Sequence, residues 1–310
     1  MSAQVDALVK AAGDGDLAAM KALLIAHPGL AKASRPAGDG EERAPALCRA
    51  AAKGQAAAVK LLLEHGADPN AMFRDDYGTA LTAACETLAP GTAEVVEVLL
   101  AAGADPGLAD ALYMACSTWA RNPVEKHRIV RMLMAAGETA DQHPAVLAVH
   151  AGDAKALTNL IARDPGLTGR RFTEVDYLAW PLHCGAPTLL HIAADYGETA
   201  LVQLLLAAGT DVNVRAGPGE NGCGYQTPVF HCVASENGCA LGVLKLLIER
   251  RADLGVTAKV HFPEEARGIC PEAGQTVELR PLGLAMRFEK ATSRNSAEAI
   301  RLLREAGAVE

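Results

Sequence analysis

The stretch from Thr188 to Val214, TLLHIAADYGETALVQLLLAAGTDVNV, limits what this chain can fold into more than any other. Leu189, Leu190, Ile192, Ala193 and Ala194 predict a short apolar helix whose small residues let a neighbour approach closely. Gly197 ends it. A second helix from about Thr199 places Leu201, Val202, Leu204, Leu205 and Leu206 over one broad face and leaves Gln203 to solvent. Gly209 supplies a left-handed cap, after which Asp211, Val212 and Asn213 turn the chain into a polar finger. Such a helix pair exposes more apolar surface than it can cover alone, so it is stable only when stacked against copies of itself.

The copies are present. Val5 to Leu30 gives two short helices broken at Gly13 to Asp16, with Gln4, Asp6 and Lys10 making the wetter face that a terminal repeat needs. After the polar linker SRPAGDGEERAP, a second unit (ALCRAAAKG, VKLLLEHGADPNA) carries Gly54 and Gly66 at its turns. A third runs from Thr79 to Gly103-Ala104-Asp105, and a fourth from near Ala111 to Gly137. The fifth, AVLAVHAGDAKALTNLIARDPGL, repeats the Pro-Gly-Leu ending of the first. The seventh (TPVFHCVASENG, VLKLLIERRAD) puts Arg251 where a capping glycine is expected, and the eighth (RPLGLAM, AEAIRLLREAGA) ends at Gly307 with Glu298, Arg301, Arg304 and Glu305 outward.

This order of helix, glycine, helix and Gly-Ala-Asp resembles ankyrin repeats over nearly the whole chain, in about eight units. The family's TPLH signature stands as Thr79-Ala80-Leu81-Thr82, Thr188-Leu189-Leu190-His191 and Thr227-Pro228-Val229-Phe230, so His191 alone keeps the signature histidine. The resemblance implies an all-α solenoid of stacked helix-turn-helix units with extended finger loops. It implies one array over 1–310, with 1–36 as the N-terminal cap repeat and 277–310 as the C-terminal one. For His191 it implies a structural hydrogen bond between neighbouring repeats, and for the stack a concave interaction face.

The intervals between unit ends exceed the period of about 33 residues after Asp164, most of all between Arg251 and Gly307. The excess falls mainly in three consecutive fingers: Gly169 to Ala186, Ala216 to Gln226 and Ala258 to Thr276. The first holds Arg170, Arg171, Asp176, Tyr177, Trp180, His183 and Cys184, residue types that anchor interfaces, with Trp180 and Leu182 alternatively folding back as the loop's own small core. The second is glycine-rich, is neither a Walker loop nor a dinucleotide fingerprint, and predicts a flexible segment around Tyr225. The third offers His261 and Glu264. The candidate binding residues are therefore Arg171, Asp176, Tyr177, Trp180, His183, Tyr225, His261 and Glu264.

Catalytic and metal signatures are weak. Cys184 beside His183 and near Asp176 has the residue types of a thiol nucleophile with its base, but no nucleophile elbow, kinase loop or zinc-protease helix occurs. The balance is against an enzyme, and no catalytic residue is assigned. The Cys and His residues of this half lack C-x-x-C pairing, so neither a metal nor a cofactor is expected. Cys85, Cys116 and Cys232 fall at helix positions that pack, and the eight cysteines predict reduced thiols. Lys126, His127, Arg128 and Arg131 read as a solvated helix face.

A net charge of -8 argues against nucleic acid as the main partner. No apolar run is long enough to span a membrane and the start lacks a signal peptide, which places the chain in the cytoplasm. The expected function is protein-protein interaction through the concave face and the long fingers between repeats 5 and 8. The rival is an enzyme or small-ligand receptor in which those fingers close a pocket around Asp176, Tyr177, His183, His261 and Glu264 over the groove.

Overall fold

A computed structural model describes residues 2–33, 45–73, 78–118, 122–138, 143–172, 186–234, 240–262, 264, 272–288 and 296–310. The chain forms two compact units, Met1–Ala140 and Asp141–Glu310. The first contains the pairs α1 (Ser2–Asp14) and α2 (Leu17–Ala26), α3 (Ala46–Ala52) and α4 (Ala56–Glu64), α5 (Ala80–Thr87) and α6 (Thr92–Ala101), α7 (Ala111–Ser117) and α8 (Pro123–Ala135). First helices stack in the order α1, α3, α5, α7 and second helices in the order α2, α4, α6, α8. The second unit repeats the scheme with α9 (Pro144–His150) and α10 (Ala154–Arg163), α11 (Leu189–Asp195) and α12 (Thr199–Ala207), α13 (Pro228–Ala234) and α14 (Leu241–Glu249), α15 (Pro281–Phe288) and α16 (Ser296–Glu305). The architecture is thus a mostly helical solenoid of helix-turn-helix units.

Alanine makes the first rows possible. Ala50, Ala51, Ala84, Ala193 and Ala194 are buried where helices of only seven or eight residues meet their neighbours on both sides. The second helices bring the branched bulk, such as Val59, Leu62, Val96, Leu99, Val202 and Leu205, each fully buried. Cys85 and Cys116 pack in the same rows; burial pushes the Cys116 thiol up to about 12, against the opposing charge of Lys126, and pushes Cys85 still higher. The described cysteines, Cys48, Cys85, Cys116, Cys223 and Cys232, are all buried.

Most second helices end alike, α2 and α10 excepted, which stop at His27 and Asp164 with negative φ. At Gly66, Gly103 and Gly209 the backbone is left-handed, its N–H bonds the carbonyl three residues back, and the next N–H bonds the carbonyl five residues before it. Arg251 N–H bonds Ile248 and Ala252 N–H bonds Leu247 in the same pattern, with Arg251 at φ 61°, so it occupies the glycine position at a steric cost. Beyond each cap an Asp holds the turn. Asp68, Asp211 and Asp253 accept the N–H two residues on, and Asn70 and Asn213 then reach the following finger, where Asp105 and Asp253 donate their N–H groups at 2.8 Å.

Two expectations are corrected. Of the basic run on α8, Arg128 and Arg131 are exposed, but Lys126 is buried. Helical spacing puts it on one face with Ile129, Val130 and Leu133, so its long stem packs with them. The third finger is not a loop throughout: Ala258–Phe262 (β1) and Gln275–Leu279 (β2) pair antiparallel, with Val260 opposite Val277.

Gly54 and Gly209 separate two reasons for glycine. Both have positive φ, but a Cβ on Gly54 would overlap the Pro90 carbonyl oxygen of the next repeat, whereas Gly209 faces open space. Gly209→Ala should therefore cost about 1 kcal/mol, Gly54→Ala clearly more, and Arg251→Gly should raise stability by up to about 1 kcal/mol. Urea midpoints check the order; equal losses at Gly54 and Gly209 would remove the close-approach argument.

Candidate interaction surface

The three long fingers of the second unit are bonded edge to edge. Phe172 N–H donates to the Pro187 carbonyl (2.9 Å), joining the two ends of the first finger, and Gly217 N–H donates to Ala186 (3.2 Å), joining the first to the second. Within the second finger Ala216 N–H bonds Gln226 and Gly219 N–H bonds Cys223 (2.8 Å), while Cys223 itself is buried. Gly224 and Lys259 exchange both backbone bonds, at 2.9 and 3.1 Å, and Gln226 Nε2 adds a third to the Lys259 carbonyl. The glycine-rich finger, expected to be flexible, is therefore tied along its length; its glycines permit close backbone approach, as at Gly224, where a Cβ would crowd Gly217 and Pro218.

The β1–β2 ribbon gives this layer two faces. Ala258, Val260 and Phe262 alternate inward to the core, where the Phe262 and Phe288 rings meet at 6.1 Å, while Lys259 points out and His261 is half-buried. On the outer side His261 Nδ1 lies 3.0 Å from Thr276 Oγ1, which itself donates to the Asn221 carbonyl of the second finger.

Behind the fingers, His191 bridges two repeats. Its Nδ1 accepts from Thr188 N–H (3.2 Å), which leaves Nε2–H to donate to the Gln226 carbonyl (3.0 Å), as the resemblance implied. The ring is buried and meets His231 edge-on at 5.4 Å. Asp195 lies 3.7 Å from His231, both buried. Desolvation, then the neighbouring His231, push His191 down to about 3.

The expected site residues divide. Arg171 is exposed and donates through Nε to the Arg215 carbonyl (3.1 Å); Tyr225 is exposed at φ 65°; His261 lies on β1; and Glu264 is exposed beyond the end of β1. Arg171, Tyr225 and His261 thus fall in one bonded layer. Asp176, Tyr177, Trp180 and His183, together with Cys184, lie outside the described residues. Arg215 and Lys259 were missed by sequence reasoning. Arg215 carried no signal until its guanidinium was seen against Thr257 (3.3 Å), whereas the alternation of AKVHF could have marked Lys259 as outward. Among the described residues no group of three or more His, Cys, Asp or Glu is placed to hold a metal ion, and no helix is long and apolar enough to cross a membrane.

The family described as "Ankyrin repeats (3 copies)" matches residues 8–110, and "Ankyrin repeat" matches residues 188–216. Both units therefore contain ankyrin repeats. Among solved structures, a crystal structure of the human ASB11 ankyrin repeat domain is similar over 98% of each chain at 20% identity, with a TM-score of 0.38. No curated protein matches. Ankyrin-repeat proteins as a class mediate protein-protein interactions through the concave face.

The buried imidazole makes stability depend on pH. His191 binds a proton in the unfolded chain below about 6.5 but in the folded chain only near 3. Its contribution is complete above 6.5 and is lost progressively as pH falls from there toward 3. His191→Ala, which strands the Gln226 carbonyl and Thr188 N–H, should cost about 3 kcal/mol at neutral pH and flatten this slope. Denaturation midpoints against pH for parent and variant test this; parallel curves would exclude His191 as the source.

Proposed function

We propose that the second unit binds a protein partner through the outer side of its finger layer, continuous with the face lined by the first helices. Tyr225 carries the reading. Its ring is 46% exposed and its backbone is left-handed, a conformation costly for a bulky residue. Neither core packing nor local backbone preference accounts for a tyrosine there; a rigid aromatic on a fixed backbone suits an interface anchor. Gly222 and Gly224, also at positive φ, flank it and supply the conformation that a turn needs. The surrounding layer is held by backbone bonds, so its side chains are positioned before a partner arrives, which reduces the ordering cost of binding. Arg171 and His261 lie in the same layer, and the residue types of Asp176, Tyr177, Trp180, His183 and Glu264 in adjoining stretches of the same fingers support one extended surface with aromatic anchors and a polar rim.

The strained tyrosine separates stability from function. Tyr225→Gly should leave the protein as stable as the parent or more stable by up to about 1 kcal/mol, yet weaken binding of a cross-linked and recovered partner at least about tenfold. Trp180→Ala should weaken the same partner, and Gln203→Ala, on the exposed side of α12, should not. Unchanged affinity in folded Tyr225→Gly and Trp180→Ala would place recognition elsewhere.

A further inference from the structure

Arginines at the bases of the fingers are held by backbone oxygens, and among the described residues Arg171 and Arg215 have no carboxylate partner. Arg171 Nε donates to the Arg215 carbonyl at 3.1 Å, and Arg215 Nη1 donates to the Thr257 carbonyl at 3.3 Å. Arg280 reaches back to the same short segment, its Nε 3.3 Å from the Gly255 carbonyl, but its Nη1 also donates to the main-chain carboxylate of Glu310, so its charge is already paired. Arg171 and Arg215 thus form a chain of contacts across successive fingers. Arg170 lies beside them over the Phe172 ring at 5.8 Å, with Nη1 3.5 Å from His143 Nε2.

Other arginines of this unit behave differently. Arg287 pairs with Glu272 at 2.9 Å, and Arg301 pairs with Glu298 and Glu305. No described carboxylate pairs with Arg170, Arg171 or Arg215, all exposed. Glu278 comes close to the segment but accepts Thr257 Oγ1 at 2.6 Å instead of a guanidinium. A guanidinium with one or two N–H groups on a carbonyl keeps the rest of its five donors and its full charge, while its orientation is already fixed. Local positive charge is thereby concentrated on a chain of net charge -8.

We propose that Arg171 and Arg215, with Arg170 beside them, recognise an extended acidic segment of a protein partner, its Asp or Glu carboxylates each taken by a guanidinium fork. This rests on the protein-binding reading of the finger layer and names the chemistry of the segment bound there. Arginine presents paired N–H groups that match a carboxylate, and rows of arginine are a recurrent way of reading acidic motifs. A nucleic-acid strand fits less well. Asp211 and Asp253, exposed in the turns that lead to Arg215 and Thr257, repel a continuous phosphate backbone, whereas a peptide places its carboxylates singly between them.

Fluorescence polarisation on the full chain tests this with three labelled probes: a Glu-Ser repeat peptide, a Lys-Ser repeat peptide and a single-stranded oligonucleotide of equal charge to the first. The acidic peptide is expected to bind in a salt-sensitive manner and the lysine peptide not at all. The pair Arg171→Gln and Arg215→Gln should weaken the acidic peptide at least about tenfold. Arg170→Glu, at a residue that makes no backbone bond in the layer, should weaken it with the fold intact by circular dichroism. Failure of the acidic peptide to bind, equal binding by the folded variants, or tighter binding of the oligonucleotide would overturn the proposal. A recovered partner that is weakened by Tyr225→Gly but not by the paired arginine changes would also overturn it, while leaving protein binding by the fingers in place.

Discussion

An inner helix pair of this protein leaves apolar surface on both flanks, and only another pair can cover it. The first helices are short and built from alanine, so the distance between neighbours is set by methyl groups and glycine turns instead of large side chains. Gly54 against Pro90 shows how little room remains. The second helices then supply most of the branched apolar volume, and wherever a left-handed glycine or arginine caps them it returns the chain to the next finger in the same way. Stability in such a stack is a sum over repeats and their interfaces, which makes a buried bridge such as His191 to Gln226 a local determinant of how firmly two repeats hold.

The fingers of the second unit follow from the same constraint. Once the repeats are stacked, successive fingers lie side by side, and extra residues there can pair with each other instead of remaining loose. Gly224 with Lys259 and β1 with β2 are the result. One side of this layer closes the core through Val260 and Phe262, which leaves the other side free for Lys259, Tyr225 and the arginines. The side chains proposed for recognition are thereby mounted on backbone that folding already fixes, the arrangement that binding sites need if affinity is not to be spent on ordering them.

Helix pairs, caps and finger positions were legible in the sequence because each has a local signal: the 3.6-residue apolar period, the glycine before Ala-Asp, and the aspartate that closes its own turn. What was not legible depends on neighbours distant in sequence. Lys126 looked like part of a basic surface because charge was weighed above its register with Ile129 and Leu133. The stretch AGPGENGCGYQ looked mobile because glycine permits freedom; here the same lack of side chains permits Gly224 to meet Lys259. Arg171 and Tyr225 could be nominated by residue type, but the strain at Tyr225 and the backbone anchoring of Arg215 exist only once the fingers are stacked.

Whether the finger layer is an integral part of the folded unit is tested most directly by native-state amide hydrogen exchange at Gly224 and Lys259, whose N–H groups make the bonds between the second and third fingers. Protection at both amides approaching that of Leu205 and Leu247 in the buried second helices is expected, since the layer opens only when the stack does. Exchange at both near the rate of an unstructured chain, with those helices still protected, would contradict it and return the fingers to the status of loose loops.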